Sequence, residues 1–272
     1  MFRVEQKRTT FAAAASMLSV TYFLTVRKIK GRHSSPGAAL FSSMFQTIVM
    51  LGFFYLISNL FGTRRIGIHG DFALFLLTGI FTFMTFNKAV GAVSTSEGPS
   101  SSLMAHAPMN TVVAIVSSAL GSLYLQIASM TIIAFCYHVV AGPVEIEDPI
   151  GFIGMVLFAW ACGSSIGLLF LALMPWAPRL TGLLKLVLLR ANMLFSGKMF
   201  IANAMPFNLH RMFEWNPLFH IVDQARGYAF INYEPRTTTL LVPFWITVGA
   251  LMIGLMGEFY ARKHSSQGWW SS

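Results

Sequence analysis

Long apolar segments alternate with short polar ones along most of the chain. About six of the apolar segments hold roughly 20 residues each, and a helix of that length crosses about 30 Å of hydrocarbon. They are residues 38–61, 71–94, 111–141, 150–174, 180–197 and 238–257. The pattern predicts an all-α polytopic membrane protein with about six transmembrane helices.

Residues 194–226 follow a different pattern, because they are too polar to cross a bilayer and too apolar for a free loop. Burying their polar side chains in hydrocarbon without partners would cost several kcal/mol each. These side chains are Lys198, Asn203, Asn208, His210, Arg211, Glu214, Asn216, His220 and Asp223. We therefore expect a re-entrant hairpin at a membrane face, made of short helices that break at Gly197, Pro206 and Pro217.

The N-terminal segment combines basic residues with an apolar run at residues 11–26. Cations flank the run on both sides and no small-residue cleavage site follows it, which argues against a secretion signal. Apolar residues at helical spacing predict a helix that lies in the plane of the membrane on the cytoplasmic side. We divide the chain into this basic interfacial helix, 1–34, a membrane domain, 35–260, and a cytoplasmic tail, 261–272.

Composition and charge agree with a membrane protein. The chain is 55% hydrophobic and 11% charged, with a mean hydropathy of +0.64, whereas about a quarter of the residues in soluble domains are charged. The net charge of +9 does not indicate nucleic-acid binding, because no basic patch with interleaved exposed aromatics stands outside the apolar windows. Basic residues collect before the first window and after the last, which predicts that both termini are cytoplasmic. Arg64 and Arg65 fall on the opposite side.

The sequence offers no catalytic machinery. It has no paired carboxylates, no nucleophile with a base, no metal-ligand spacing and no phosphate-binding loop, so ATP hydrolysis would need another polypeptide. Cys136 and Cys162 lie inside predicted spans and are expected to be packing residues. Acidic residues fall in the outer loops and tails, which argues against coupling to an ion gradient and favours an external ATPase acting from the cytoplasm.

Three further features fall inside or between the spans. Arg190 lies deep in the fifth window, where it is either part of an aqueous pathway or neutralised in packing, whereas Lys185 can snorkel to the interface. Small residues in the fourth window predict close helix packing, within the chain or between copies. They are Ala161, Gly163, Ser164 and Gly167. The loop at residues 94–110 is either a plain connection or, through a short helix at 100–105, a docking site for a soluble partner.

The segment from Trp215 to Arg226, WNPLFHIVDQAR, has a recognisable start. Asn216 is a favoured N-cap and Pro217 a favoured first helical residue, so a helix begins there. Apolar residues then form one stripe at 218, 221, 222 and 225. His220, Asp223 and Arg226 project from other faces, where they would contact a ligand at the membrane face, or lipid headgroups and each other.

This segment resembles the W-N-P-L-x-H-x-V-E-x-x-R motif of ABC-2-type membrane subunits, especially the capsule polysaccharide export permeases of Gram-negative bacteria. It is preceded, as in that family, by a stretch like Ser196-Gly197-Lys198-Met199-Phe200 followed by Pro206. A weaker match is the basic segment at residues 24–37, similar to the in-plane helix that leads into the family's first span.

The resemblance implies a multi-pass permease of the inner membrane that exports a lipid-linked capsular or other cell-surface polysaccharide. Two copies would form the channel, two separate ATPase subunits would bind ATP and magnesium, and periplasmic and outer-membrane export proteins would be further partners. The expected channel or gate residues are Arg190, Phe195, Lys198, Phe200, Trp215, His220, Asp223 and Arg226, and the expected structural pair is Asn216 and Pro217. The expected ATPase-coupling residues are Arg27, Lys28, Lys30, Arg32, Ser100, Ser101, Ser102 and Leu103.

Two alternatives stay open at this point. One is an ABC-2 exporter of a lipid, a drug or a teichoic-acid-like molecule. The other is an intramembrane protein with no transport role. The sequence itself predicts no cofactor, no metal and no catalytic residue in this chain.

Overall fold

The structure is a computed structural model that describes residues 19–26, 35–60, 72–97 and 111–265. All regular structure in these ranges is helical, as predicted. Residues 19–26 form a helical segment. The helices that follow are α1 (Pro36–Leu60), α2 (Phe72–Ser94), α3 (Thr111–Val140), α4 (Pro149–Leu173), α5 (Pro178–Phe195), a 3-10 turn (Ala202–Ala204), α6 (Phe207–Phe213), α7 (Pro217–Ala229) and α8 (Leu241–Ser265).

Five of the described helices, α1, α2, α3, α4 and α8, are long and apolar enough to cross a membrane. They coincide with five of the predicted windows, so the prediction of a polytopic α-helical membrane protein is confirmed. The window at 180–197 corresponds to α5, an 18-residue helix that is not among the five. It carries Arg179, Lys185 and Arg190 and is about 27 Å long at 1.5 Å per residue.

The last predicted window, residues 238–257, ends earlier than the helix that it predicts. α8 continues past residue 257 to Ser265, and Glu258 lies inside it, only 4% exposed. Two glycines let this part of α8 press against α4, since an added Cβ at Gly254 would lie 2.8 Å from Leu168 and one at Gly257 would lie 2.9 Å from Ala172. The expectation that the acids lie only in loops and tails is therefore wrong for Glu258.

α2 is the central helix of the bundle. It packs against α4, α3, α7 and α1, and most of its side chains are buried. The closest approach is to α4, where an added Cβ at Gly163 would lie 2.5 Å from the carbonyl oxygen of Phe86 and one at Gly167 would lie 2.9 Å from that of Val90. The predicted small-residue packing is therefore a contact within the chain.

α1 and α5 have few neighbours. α1 exposes a row of large apolar side chains, including Phe41, Phe45 and Phe53. α5 exposes Leu183, Leu186 and other apolar residues, and within the described ranges its main helical neighbour is α4.

Several predictions fall outside the described residues. Most of the N-terminal interfacial helix, the short helix expected at 100–105 and all eight expected ATPase-coupling residues lie there. The domain boundaries and the cytoplasmic position of the termini also stay predictions.

Candidate functional site

The chain between α5 and α8, residues 196–240, is called the connector below. It breaks where the sequence predicts. α5 ends at Phe195, and Gly197 follows with a φ of +66°, a conformation that glycine adopts without strain. Pro206 precedes α6, and Pro217 is the first residue of α7. The predicted helix breaks are confirmed, and the position of the connector in a bilayer stays a prediction.

Asn216 joins the start of α7 to the end of α5. Its Oδ1 accepts a hydrogen bond from the backbone N–H of Leu218 at 3.0 Å, which confirms the predicted N-cap. Its Nδ2 donates to Asn192 Oδ1 at 3.1 Å and to the Phe195 carbonyl at 2.9 Å. One side chain thereby satisfies backbone groups at the ends of two helices.

Arg226 holds the first turn of the connector against α2. Its guanidinium is 1% exposed and donates to the carbonyls of Gly197 at 3.0 Å and Phe200 at 2.7 Å, and to that of Lys198. The same group lies 3.7 Å from the centre of the Phe75 ring. Burial lowers the pKa of Arg226 to about 10, so the side chain stays charged at neutral pH.

Glycine at position 79 makes room for this arrangement. A Cβ added to Gly79 of α2 would lie 2.6 Å from Arg226 Nη2 and 2.9 Å from the Lys198 carbonyl. α2, α7 and the connector therefore meet at one point, where a larger residue on α2 would displace the other two.

Asp223 fixes the second half of the connector. Its carboxylate is buried and accepts from Tyr233 Oη and, at 2.7 Å, from Thr238 Oγ1. Gln224 donates to the Thr238 carbonyl at 3.0 Å. Burial and the neighbouring carboxylate raise the pKa of Tyr233, so the phenol stays protonated and donates to Asp223.

His220 is also buried and bridges two parts of the connector. Its Nδ1 accepts from the backbone N–H of Thr239 at 3.2 Å, and its Nε2 lies 2.7 Å from the Glu214 carbonyl. Nδ1 can accept a hydrogen bond only when it carries no proton, and the ring is then neutral with its proton on Nε2. Nε2 can therefore donate to the Glu214 carbonyl. Burial lowers the pKa of His220, which agrees with that form.

Lys198 caps the end of α5. It is 1% exposed, and its ammonium donates to the Met193 carbonyl and lies 3.5 Å from Ser196 Oγ. The ammonium also lies 4.1 Å from the centre of the Phe83 ring and 4.9 Å from that of Phe54. A cation at a helix C-terminus is favourable, but burial lowers the pKa of Lys198 to about 7.

The structure thus divides the predicted channel or gate residues into two groups. Lys198, His220, Asp223 and Arg226 are buried and bonded inside the connector, and the prediction from the sequence missed this interior position. Phe200, Trp215 and Arg190 are exposed, and Phe195 is half-buried. A role of either group in transport stays a prediction.

A shallow cavity of about 730 Å³ opens on the surface of the connector. It lies between the 3-10 turn, α7 and the chain after α7, and Asn203, Asn232, Glu234, Arg236 and Tyr228 are among its lining residues. Glu234 and Arg236 form an exposed ion pair at 3.9 Å. The cavity combines planar polar groups with the face of a tyrosine ring.

A lysine inside a predicted span, Lys88, is a further, half-buried cation that is not among the predicted site residues. Lys88 of α2 donates to Ser43 of α1 at 2.6 Å and to Gln126 of α3 at 2.9 Å. Ser43 Oγ in turn lies 2.6 Å from Ser129 Oγ of α3. Lys88 is a single cation within the 23 apolar residues of α2, and this is the signal in the sequence that indicates the site.

In the described ranges, no group of three or more His, Cys, Asp or Glu side chains could hold a metal ion.

Comparison with known proteins gives one family. The family model for the ABC-2 type transporter matches residues 19–230 of this chain. Two Escherichia coli proteins, both named polysialic acid transport protein KpsM, are 27% and 25% identical to it over 195 residues, which is 68% of this chain and 71% of each relative. The match includes four of the five apolar helices and the connector as far as the end of α7. The chain belongs to the ABC-2 type transporter family.

Proposed function

We propose that this ABC-2 permease exports a lipid-linked cell-surface polysaccharide across the inner membrane. Permeases of this family work with an ATPase on a separate subunit, so the energy comes from a partner polypeptide. Two copies of the chain form the conduit, and both termini face the cytoplasm, where the ATPase binds.

The observation that carries the proposal is the similarity to the KpsM proteins, which extends over about two thirds of this chain. Those relatives are named for transport of a polysaccharide. The similarity supports a glycan as the cargo in preference to a drug or a small lipid.

Two structural features support the same function. The exposed apolar faces of α1 and α5 are available to lipid and to a second copy of the chain, and we assign part of this surface to the second copy. The cavity of the connector offers amide, carboxylate and guanidinium groups beside Tyr228, a combination that suits pairs of hydroxyl groups next to an apolar sugar face.

The test is purification of the chain together with its ATPase from the native membrane. We expect a complex with two copies of each subunit, and a glycan with a lipid anchor identified in it by mass spectrometry. Deletion of the chain should remove the surface glycan, and re-expression should restore it. A complex that carries no glycan, with ATPase activity stimulated only by a drug or a free lipid, would contradict the polysaccharide assignment and leave the ABC-2 assignment intact.

A further inference from the structure

Lys88 joins three membrane helices through one ammonium group. Its Nζ donates to Ser43 Oγ of α1 at 2.6 Å and to Gln126 Oε1 of α3 at 2.9 Å. Ser43 and Gln126 are both buried, Gln126 with only 1% of its surface exposed. Lys88 itself is half-buried, so part of its surface stays accessible.

The charge of Lys88 has no counter-ion in the described parts of the chain, because both hydrogen-bond partners are neutral. An ionised group inside the hydrocarbon region is costly, and the cost is offset only by a partner or a use. A neutral glutamine at this position could make both hydrogen bonds without that cost. Helix packing alone therefore does not explain a cation here.

The same site holds donors that have no acceptor. An ammonium has three N–H donors, and Lys88 uses two of them within the protein. The Nε2 group of Gln126 is buried and makes no hydrogen bond. A cation next to spare N–H donors is the arrangement that binds anionic oxygens, and phosphate oxygens are strong acceptors for such charge-assisted bonds.

The depth of the site indicates how the anion arrives. Ser43 and Lys88 each lie about 10 Å from the end of the bundle where α1 begins and α2 ends, at 1.5 Å per residue. On the topology proposed above, this is the cytoplasmic end. Any phosphate loses water of hydration on reaching that depth. A phosphate carried on a lipid, however, is already held at the membrane surface beside the bundle, whereas a phosphate free in water is not.

We propose that Lys88 and the Gln126 amide bind the phosphate group of the lipid anchor that carries the glycan, and that this three-helix cluster is the loading site in the cytoplasmic leaflet. The identification of the lipid as the glycan's anchor rests on the proposed function. The presence of a site for a phosphate lipid rests only on the contacts of Lys88 and Gln126.

The experiment compares four forms of the full-length chain, purified with its ATPase in a non-ionic detergent. They are the wild type, Lys88→Arg, Lys88→Gln and Ser129→Ala. Each is titrated with a polyprenyl diphosphate, with phosphatidylglycerol and with inorganic diphosphate, and binding is read from native mass spectrometry and from the shift of the melting temperature. Lys88→Arg keeps the charge. Ser129→Ala removes the hydrogen bond between α1 and α3 and leaves the ammonium contacts in place.

We expect polyprenyl diphosphate to bind the wild type and Lys88→Arg, and to bind Lys88→Gln at least about tenfold more weakly. Ser129→Ala should melt earlier but bind the lipid as the wild type does. Inorganic diphosphate should bind none of the four measurably. If Lys88→Gln bound the lipid as tightly as the wild type, the cluster would be a structural tie and the site would be overturned. Polyprenyl diphosphate stands for an isoprenoid anchor and phosphatidylglycerol for bulk phospholipid, so equal affinity for the two would overturn the assignment of the site to an isoprenoid anchor.

Export assays separate this proposal from the proposed function. If the wild type binds polyprenyl diphosphate through Lys88 but its deletion leaves the surface glycan unchanged, the polysaccharide function fails and the lipid site stands. If deletion removes the glycan but Lys88→Gln restores it fully and binds lipid normally, the lipid site fails and the polysaccharide function stands.

Discussion

Replacing Arg226 tests whether the connector is held in place by this one side chain. The guanidinium donates to three backbone carbonyls, of Gly197, Lys198 and Phe200, and stacks on Phe75 of α2. Arg226→Ala leaves those carbonyls without their donor and opens a cavity between α2 and α7. Arg226→Lys keeps the charge, but an ammonium cannot reach all three carbonyls with the planar geometry of a guanidinium.

The magnitude follows from the contacts. A hydrogen bond to a charged group contributes about 1.5–3 kcal/mol and a desolvated cation–π contact about 2 kcal/mol. Desolvation of the guanidinium offsets part of this, and losses at one network are not additive, so we expect Arg226→Ala to cost about 3–5 kcal/mol. Arg226→Lys should lose about half as much, because it restores one hydrogen bond.

Proteolysis and thermal melting in detergent measure the effect. Arg226→Ala should become sensitive to protease in the connector, residues 196–240, at a temperature at which the wild type is resistant, and its yield should fall. Asn232→Ala, an exposed residue of the same connector, is the matched control and should behave as the wild type. A normal melting temperature and normal protease resistance for Arg226→Ala, with export lost, would refute the anchoring role and restore the prediction that Arg226 contacts the substrate.

Two further predictions concern the other cations. Arg190→Gln should reduce surface glycan with the melting temperature unchanged, since the side chain is exposed on α5; normal glycan would remove Arg190 from the conduit. For Lys198, the folded state has a pKa of about 7 against an ordinary value of 10.5, so between these pH values the unfolded chain binds more protons and stability rises with pH. The wild type should gain about 1 kcal/mol per pH unit from pH 7 to 9 relative to Lys198→Met, and melting temperatures of the two that change in parallel with pH would contradict the lowered pKa of Lys198.

The sequence predicts those parts of the fold that depend on composition or on near neighbours. The apolar windows place the first four spanning helices within two residues at each end, because about 20 apolar residues favour such a helix; the window at 180–197, which holds Lys185 and Arg190, gives α5 instead. The start of α7 follows from Asn216 and Pro217 alone, because an N-cap is satisfied by the residues next to it. The end of α8 does not follow from the sequence, because Glu258 interrupts the apolar run; in the structure Glu258 is buried, and Gly254 and Gly257 bring this part of α8 against α4.

The partners of the buried polar residues could not be predicted in the same way. Arg226 bonds to backbone carbonyls of residues 197–200, and every residue has a carbonyl, so no residue type marks the acceptor. Asp223 and His220 bond to groups that lie after α7 and come within reach only when the chain folds back. Lys88 differs from these residues, because a single lysine in an apolar run is a signal that the sequence alone contains.

The contacts of the connector also indicate which part of the permease moves. Arg226 and Lys198 bind the start of the connector to aromatic rings of α1 and α2, so this part moves with the central bundle. α5 has far fewer contacts along most of its length, mainly with α4, and only its last turns are held by Asn216 and Lys198 of the connector. We therefore expect ATP binding by the partner subunit to shift the first half of α5 against α4, while the connector and the end of α5 keep their geometry.

Spin labels in a cysteine-free background can test this. A pair at Leu184 of α5 and Leu157 of α4, both exposed, should change its distance when ATP is added to the complex. A pair at Trp215 and Ile231, exposed residues of the connector region, should keep its distance. The opposite result, a fixed α5 and a connector that opens between Trp215 and Ile231, would mean that the buried network of Arg226, Asp223 and His220 breaks during each cycle. In that case the stability measured for Arg226 variants would correlate inversely with export rate, because a weaker network would open more readily.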